Sequence, residues 1–253
     1  MTPSNALERT GKHRCLNCDA SLNPEAAFCG VCGQTVATHR LTMREIAHDF
    51  VHALVHTDRS VLALVHILLV RPGYVARDYV FGRRKRHFGP LAFLAITVGL
   101  ASAVVALSGF RAFTTDSPNA VAEFLQRHVN LVILLQVPIL AACCSALFQK
   151  DGYNFAEHLV LAAYTSGIRT IFFTLLVIPY WYLFRPSGSV ALYLYYSYLC
   201  IWLLYCGVAT SQFYRGNRGA SWAKGVLAAA ITQAMSQAIV SLVTYGFFQL
   251  DGR

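Results

Sequence analysis

The sequence predicts an all-α polytopic membrane protein, with about five transmembrane helices and a small metal-binding module near its N-terminus. Three observations predict it. Of the 253 residues, 56% are hydrophobic and only 13% are charged, against about a quarter charged in a soluble domain. Five apolar stretches reach the ~20 residues that a bilayer crossing needs. Four of the eight cysteines fall between positions 15 and 32, as two Cys-x-x-Cys pairs.

The first residues, MTPSNALERTGKHRC, are polar and contain no hydrophobic core, which argues against a cleaved signal peptide. Residues 1–12 are expected to form a flexible tail. The cysteines that follow are then expected in the cytosol, where thiols stay reduced. In that compartment, spaced cysteines are metal ligands or redox groups rather than a disulfide framework.

Residues 13–35 read as a zinc ribbon. Cys15, Cys18, Cys29 and Cys32 have the spacing Cys-x2-Cys-x10-Cys-x2-Cys. Each pair fits a tight turn that aims two sulfurs at one point, and the ten residues between them suffice for a short hairpin. Four thiolates complete tetrahedral zinc and leave no open position, so the site is structural rather than catalytic. Iron in a rubredoxin-like site and a redox dithiol are the alternatives. So small a segment lacks a core of its own, and metal supplies most of its folding free energy. Gly33 follows the second pair, where positive φ is often required, and Asp19 follows the first. Cys143, Cys144, Cys200 and Cys206 lie in apolar stretches and read as small hydrophobes.

Residues 36–90 read as cytosolic or interfacial amphipathic helices. Thr42 and Glu45 have capping-box spacing. Met43, Ile46, Ala47, Phe50 and Leu54 then share one helical face. SVLALVHILLV is apolar, but at eleven residues it is too short to span. It is expected to lie in the interface or to pack under the spans, with His66 buried and hydrogen-bonded. Arg71-Pro72-Gly73 ends it. YVARDYVFG gives one more short helix, stopped by Gly82.

Residues 91–253 form the transmembrane domain. The expected spans are Leu91–Phe110, Val129–Phe148, His158–Phe184, Val190–Thr210 and Val226–Leu250. Pro138 is expected to kink the second. The aromatic runs IPYWYLF and LYLYYSY end the third and begin the fourth, as interfacial belts on one face. Arg71, Arg77, Arg83, Arg84, Lys85 and Arg86 precede the first span, whereas the loop after it carries only Arg111 and Arg127. The positive-inside rule therefore predicts the inner (cytoplasmic) membrane, with the N-terminus in the cytosol and the C-terminus outside. The net charge of +9 falls mainly beside apolar segments. Its partner is then anionic lipid headgroups, at Arg83, Arg84, Lys85 and Arg86, and nucleic acid is disfavoured.

Three stretches carry a resemblance. CLNCDASLNPEAAFCGVCGQ is similar to the short zinc ribbons of many bacterial proteins. HRLTMREIAHDFVHALVHTDRSVLALVHILLVRPG resembles an uncharacterised bacterial family. In it, a ribbon ending in Cys-Gly-Gln leads to a His-x-Asp element, a Leu-rich stretch ending in Arg-Pro-Gly, and several spans. The matching residues are Cys32, Gly33, Gln34, His56, Asp58, Arg71, Pro72 and Gly73. RDYVFGRRKRHFGPLAFL resembles the family's Tyr-x-x-Gly-x-Arg stretch. The resemblance covers about residues 15–95. It implies membership of a family of unknown function and brings no activity with it.

Two further groups are candidate sites. His48, His52 and His56 recur every four residues on one helix face, with Asp58 beyond. They are a candidate secondary metal or proton-responsive site, weighed against a plain polar helix face, and no His-Glu-x-x-His motif is present. Arg169 lies inside the third span, and no Asp or Glu falls within any span. It either snorkels to the cytoplasmic headgroups or faces the bundle interior. Gln233 and Gln237, one turn apart in the last span, are its candidate partners. Glu157 and His158 sit at the cytoplasmic mouth of the third span as an interface pair or a relay.

No Walker loop, dinucleotide turn, nucleophile elbow or kinase motif is present. The expectation is a non-enzymatic membrane protein whose ribbon braces the cytosolic face or binds a protein partner. The alternative is a transporter or channel for a small solute, using Arg169 and the Gln233/Gln237 face.

Overall fold

The computed structural model describes residues 14–23, 25–36, 38, 40–47, 60–110, 129–186 and 188–251. The N-terminal tail and the candidate site at His48, His52, His56 and Asp58 lie outside the described residues.

After the cysteine module, a helical turn at 43–47 leads to α1 (Ser60–Val70), α2 (Pro72–Val80) and α3 (Pro90–Ser108). Then come α4 (Val129–Leu147), a 3-10 turn at Gln149–Asp151, and α5 (Phe155–Phe172). A π-turn, Phe173–Val177, joins α5 to α6 (Ile178–Phe184); α7 (Gly188–Phe213) and α8 (Arg218–Asp251) close the chain. Among the described residues there is no strand, only two isolated bridges.

Local chemistry sets these boundaries. Pro90 opens α3, where its missing N–H costs nothing, and Gly109 ends it at φ +64. The Asn154 side chain accepts from the Glu157 N–H while the Glu157 side chain accepts from the Asn154 N–H, a complete capping box for α5. Pro179 accounts for the π-turn. It cannot donate to Leu175, and its ring crowds that carbonyl, so the helix widens just before it.

Four helices are long and apolar enough to cross a membrane: α3, α5 with its continuation to Phe184, α7, and α8 over Arg218–Val243. The expected second span differs. It is helix α4, and its apolar stretch, Val132–Leu147, is shorter than those four. Pro138 lies inside it without ending it.

Helix α5 is the centre, with 72% of its apolar window buried. It packs against α2, α3, α4 and α7, and α8 closes the far side against α4 and α7. The polarity is inverted relative to a water-soluble bundle. Thr97, Gln136, Thr165, Ser166, Arg169 and Gln233 are buried, whereas Leu100, Leu107, Leu183, Leu192 and Leu242 are exposed. The buried Thr165, Thr170, Thr174 and Thr232 hydroxyls each donate to the carbonyl four residues earlier. An apolar exterior around satisfied polar groups suits lipid rather than water.

One end of the bundle gathers the start of α3, the end of α4, the start of α5, the end of α7 and the start of α8. Lys224 Nζ donates to the Leu147 carbonyl (3.0 Å), and the Gln212 and Gly73 neighbourhoods meet there. Gly73 fits because it has no side chain: a Cβ would lie 2.0 Å from the Ala209 oxygen. Its N–H donates to Gln212 Oε1 (3.1 Å), and Gln212 Nε2 donates back to the Val70 carbonyl (3.2 Å). The Arg71-Pro72-Gly73 element is thus where α2 lands on α7.

The segment before the bundle is docked on it. Leu41 and Ile46 are buried in the main core, joined by Leu64 and Leu68 of α1. The expected amphipathic face is narrower than its pattern: Met43 is 49% exposed, and Ala47 is exposed. His66 is exposed as well, because Leu64 and Leu68 fix the inward face of α1 and position 66 falls opposite.

Candidate functional site

The cysteine module consists of the same turn built twice. Cys15 N–H donates to the Ala20 carbonyl and Asp19 N–H to the Cys15 carbonyl, both at 2.9 Å. Cys29 N–H donates to the Gln34 carbonyl and Gly33 N–H to the Cys29 carbonyl, both at 2.8 Å. Each turn is closed by one bridge, Arg14 with Ser21 and Phe28 with Thr35. The equivalent fifth positions both need positive φ. Gly33 has +69° and Asp19 has +61°, a conformation that Asp tolerates better than most residues.

The two turns face each other. All four sulfurs lie within 4.8 Å of one another. Cys15 Sγ is 3.5 Å from Cys32 Sγ, and Cys18 Sγ is 3.7 Å from Cys29 Sγ. Zinc–sulfur bonds of ~2.3 Å place tetrahedral sulfurs about 3.8 Å apart, and a disulfide needs about 2.05 Å. The set therefore fits one tetrahedral ion and no disulfide. Its thiols ionise unequally. The Cys32 and Val31 N–H groups hold Cys29 below the ordinary thiol range. Burial opposes ionisation of Cys32, but the Gln34 N–H and neighbouring side chains bring it to about 6. The Ala20 N–H favours a Cys18 thiolate, yet burial and the other three sulfurs push Cys18 up to about 12. A cation held by the four sulfurs would displace their remaining protons.

Gln34 ties this module to the bundle. It is 4% exposed. Its Nε2 donates to the Gly82 carbonyl (2.7 Å), and its Oε1 accepts from the Lys85 N–H (3.4 Å). One residue therefore closes the second cysteine turn with its backbone and holds the α2–α3 loop with its side chain. A second tie lies close by. Arg40 donates through Nε and Nη2 to both oxygens of the fully buried Glu157, at 2.9 and 3.0 Å. Its guanidinium is held above its ordinary pKa by Glu157. Asn154 Nδ2 also donates to the Leu41 carbonyl (2.8 Å). Glu157 and His158 are divided between different partners: His158 Nδ1 lies 2.6 Å from the Tyr214 hydroxyl.

Arg84 of the basic loop lies 3.9 Å from Glu45, and Arg83 lies 3.5 Å from Asp78. Lys85 and Arg86 are exposed. Burial opposes a charged Asp78, but the adjacent His87 and the Arg83 and Arg86 charges hold its carboxyl below the usual range.

Arg169 lies in the interior, 6% exposed. Its Nη1 donates to Gln136 Oε1, its Nη2 to Gln233 Oε1 (3.1 Å) and its Nε to the Tyr198 hydroxyl (3.1 Å). Its Cζ sits 4.0 Å from the centroid of Trp202. Gln136 also donates to Ser236 Oγ (2.7 Å). Gln233 and the exposed Gln237 both donate to the Tyr195 hydroxyl, at 3.1 and 3.0 Å. Of the two resolutions for Arg169, the geometry is interior pairing, because three acceptors on three helices meet the guanidinium at its own depth. Gln136, Tyr195, Tyr198 and Trp202 were not among the residues singled out by sequence. Gln136 had a signal, as an amide inside an otherwise apolar helix. The cavity beside Arg169 has about 10 Å³ of free space, lined also by Phe172, Ile201 and Tyr205, and holds no more than about one water.

A family model described as a protein of unknown function (DUF3667) matches residues 64–101. No curated protein and no solved structure matches the chain. The matched stretch contains the landing of α2 on α7, Gly82 and the basic loop, and most of α3. The cysteine module lies outside it.

Proposed function

We propose that the chain is a multi-pass protein of the cytoplasmic membrane whose cytosolic zinc ribbon is a structural clamp on the basic end of its helix bundle. Cys15, Cys18, Cys29 and Cys32 hold the ion. The observation that carries the reading is Gln34, shared between the second cysteine turn and the Gly82–Lys85 loop. Zinc, by fixing that turn, fixes the loop and presents the ribbon's exposed Phe28 and Val31 to a protein partner. The basic end faces the cytosol: it carries Arg71, Arg77, Arg83, Arg84, Lys85, Arg86, Arg215, Arg218 and Lys224, whereas the far end has only Arg185 among the described residues. By that reading the N-terminus is cytosolic and the C-terminus outside. Bracing is favoured over solute transport because each guanidinium nitrogen of Arg169 already donates to a side chain and its cavity has no room for a solute.

The test is metal content together with trypsin sensitivity of the full-length protein in membranes. The expected result is one zinc per chain in the wild type, none in Cys29→Ser, and faster cleavage at Arg83–Arg86 in the variant. The variant should remain in the membrane fraction, since the spans satisfy their own backbone hydrogen bonds. Full metal content in Cys29→Ser, or none in the wild type, overturns the ribbon. Metal loss with unchanged cleavage overturns the clamp.

A further inference from the structure

The helices bring together a group of arginines that are far apart in sequence. Arg71, Tyr74 and Arg77 follow at three-residue spacing, so they share one face of α2. On an adjacent side of the helix, the Gly73–Gln212 hydrogen bond fixes α2 against the last turn of α7. Arg218, at the start of α8, donates from Nη2 to the Tyr74 hydroxyl (3.3 Å). Arg77 lies over the same ring, its Cζ 4.9 Å from the centroid. Arg215, from the same turn, lies 5.0 Å from the centroid of Phe81. One tyrosine therefore holds two guanidiniums, and a third sits on Phe81, two turns along α2. Among the described residues, Arg71, Arg77 and Arg218 enter no salt bridge. Like charges held this close repel, and an anion between them relieves that repulsion.

We propose that Arg77 and Arg218 clasp the phosphate headgroup of an anionic phospholipid across Tyr74, with Arg71 and Arg215 at its rim. Guanidinium forks match phosphate oxygens two at a time. The site lies level with the last turn of α7 and the first turn of α8, where the headgroup layer falls if those helices cross a bilayer. It rests on the membrane reading in that respect. Lipid is favoured over free phosphate because apolar side chains stand exposed beside the charges. Val70 is 63% exposed next to Arg71, and Trp222 is 38% exposed one helical turn after Arg218. An acyl chain covers such residues, whereas a lone phosphate leaves them in water.

The test uses the full-length protein in neutral detergent, with retained lipid measured by native mass spectrometry. Phosphatidylglycerol is titrated against phosphatidylcholine and against inorganic phosphate. Arg77→Gln/Arg218→Gln is compared with Arg83→Gln/Arg86→Gln, which removes equal charge from the basic loop. The expected result is preferential retention of phosphatidylglycerol, weakened about tenfold or more in the first variant and less than threefold in the second. Because Arg218 is exposed, Arg218→Lys keeps the fold in any case, and it should weaken retention about threefold. Equal losses in both double variants overturn the site in favour of diffuse charge attraction. Displacement of the lipid by inorganic phosphate at the same concentration overturns the lipid assignment. Unchanged retention in Arg218→Lys overturns the clasp. A protein found outside the membrane fraction refutes the membrane reading, whereas one that stays there without preferring phosphatidylglycerol refutes this site alone.

Discussion

The Arg169 guanidinium lies over the Trp202 indole, 4.0 Å from its centroid, while its edges donate to Gln136, Gln233 and Tyr198. A cation in a low-dielectric interior is stabilised there by the ring face and three oxygens rather than by a carboxylate. Lysine supplies the charge but neither the planar fork nor the stacking surface. Arg169→Lys should therefore lower stability by about 2 kcal/mol or more, read as thermal unfolding in detergent. A guanidinium that snorkelled to headgroups would be replaced by Lys at little cost, so an unchanged melting temperature would count against the network.

Gly73→Ala tests the landing of α2 on α7. The new Cβ would meet Ala209 oxygen at 2.0 Å and Phe213 nitrogen at 2.6 Å, and backbone on both sides leaves no flexible group to yield. A loss of about 1–3 kcal/mol is expected. Gly30→Ala, where nothing lies within 4 Å of the added carbon, is the matched control and should be nearly silent.

Gln34→Ala separates metal binding from docking. The variant keeps the backbone turn and all four thiols, so it should bind zinc normally. It leaves the Gly82 carbonyl and Lys85 N–H without their buried partner, a loss of about 1–3 kcal/mol. Amide exchange in residues 82–87 should accelerate while metal content stays at the wild-type level. Loss of zinc in this variant would mean that the side chain acts on the turn itself.

Asp78 should make the same loop acid-sensitive. A carboxyl held below its ordinary pKa adds stability at pH values above about 4, and that stability is lost as pH falls through the lowered folded value. The Asp78 side chain is 34% exposed, so the contribution is about 0.5 kcal/mol. Exchange in residues 82–87 should rise in the wild type as pH falls below about 4, relative to Asp78→Asn, in which that step should be missing. Equal pH profiles for the two proteins would remove Asp78 as the cause.

The sequence reveals the cysteine module well because its information is local: two residues between paired cysteines and a positive φ one turn later are written in consecutive letters. Helix positions are legible for the same reason, since length and apolarity are properties of a segment. What stays hidden is lateral. Tyr195 and Tyr198 look like members of an aromatic belt and Trp202 like one more apolar residue of its span, and only the packing of α7 on α5 and α8 turns them toward Arg169 and Gln233. Arg40 reads as a loop cation until the fold sets it against Glu157, 117 residues later. Pro179 was readable as a helix disturbance but was masked by the apolar run around it. The shorter apolar stretch of α4 shows the limit of a length rule at one boundary.

Helix α7 is gripped along only half of its length. Its buried residues run from Trp202 to Phe213, and Gly207 lets Trp222 and Val226 of α8 press against its backbone. From Val190 to Ile201 the side chains are largely exposed, Tyr193 by 73%. The helix is thus a cantilever, clamped at the basic end and free at the other. If α7 crosses a bilayer, the bilayer's thickness would act first on the free arm, which Tyr195 and Tyr198 connect to Gln233 and Arg169. In a thinner membrane such an arm would tilt to keep its apolar length covered, and the first buried group its contacts lead to is the Arg169 guanidinium, not the cysteine module.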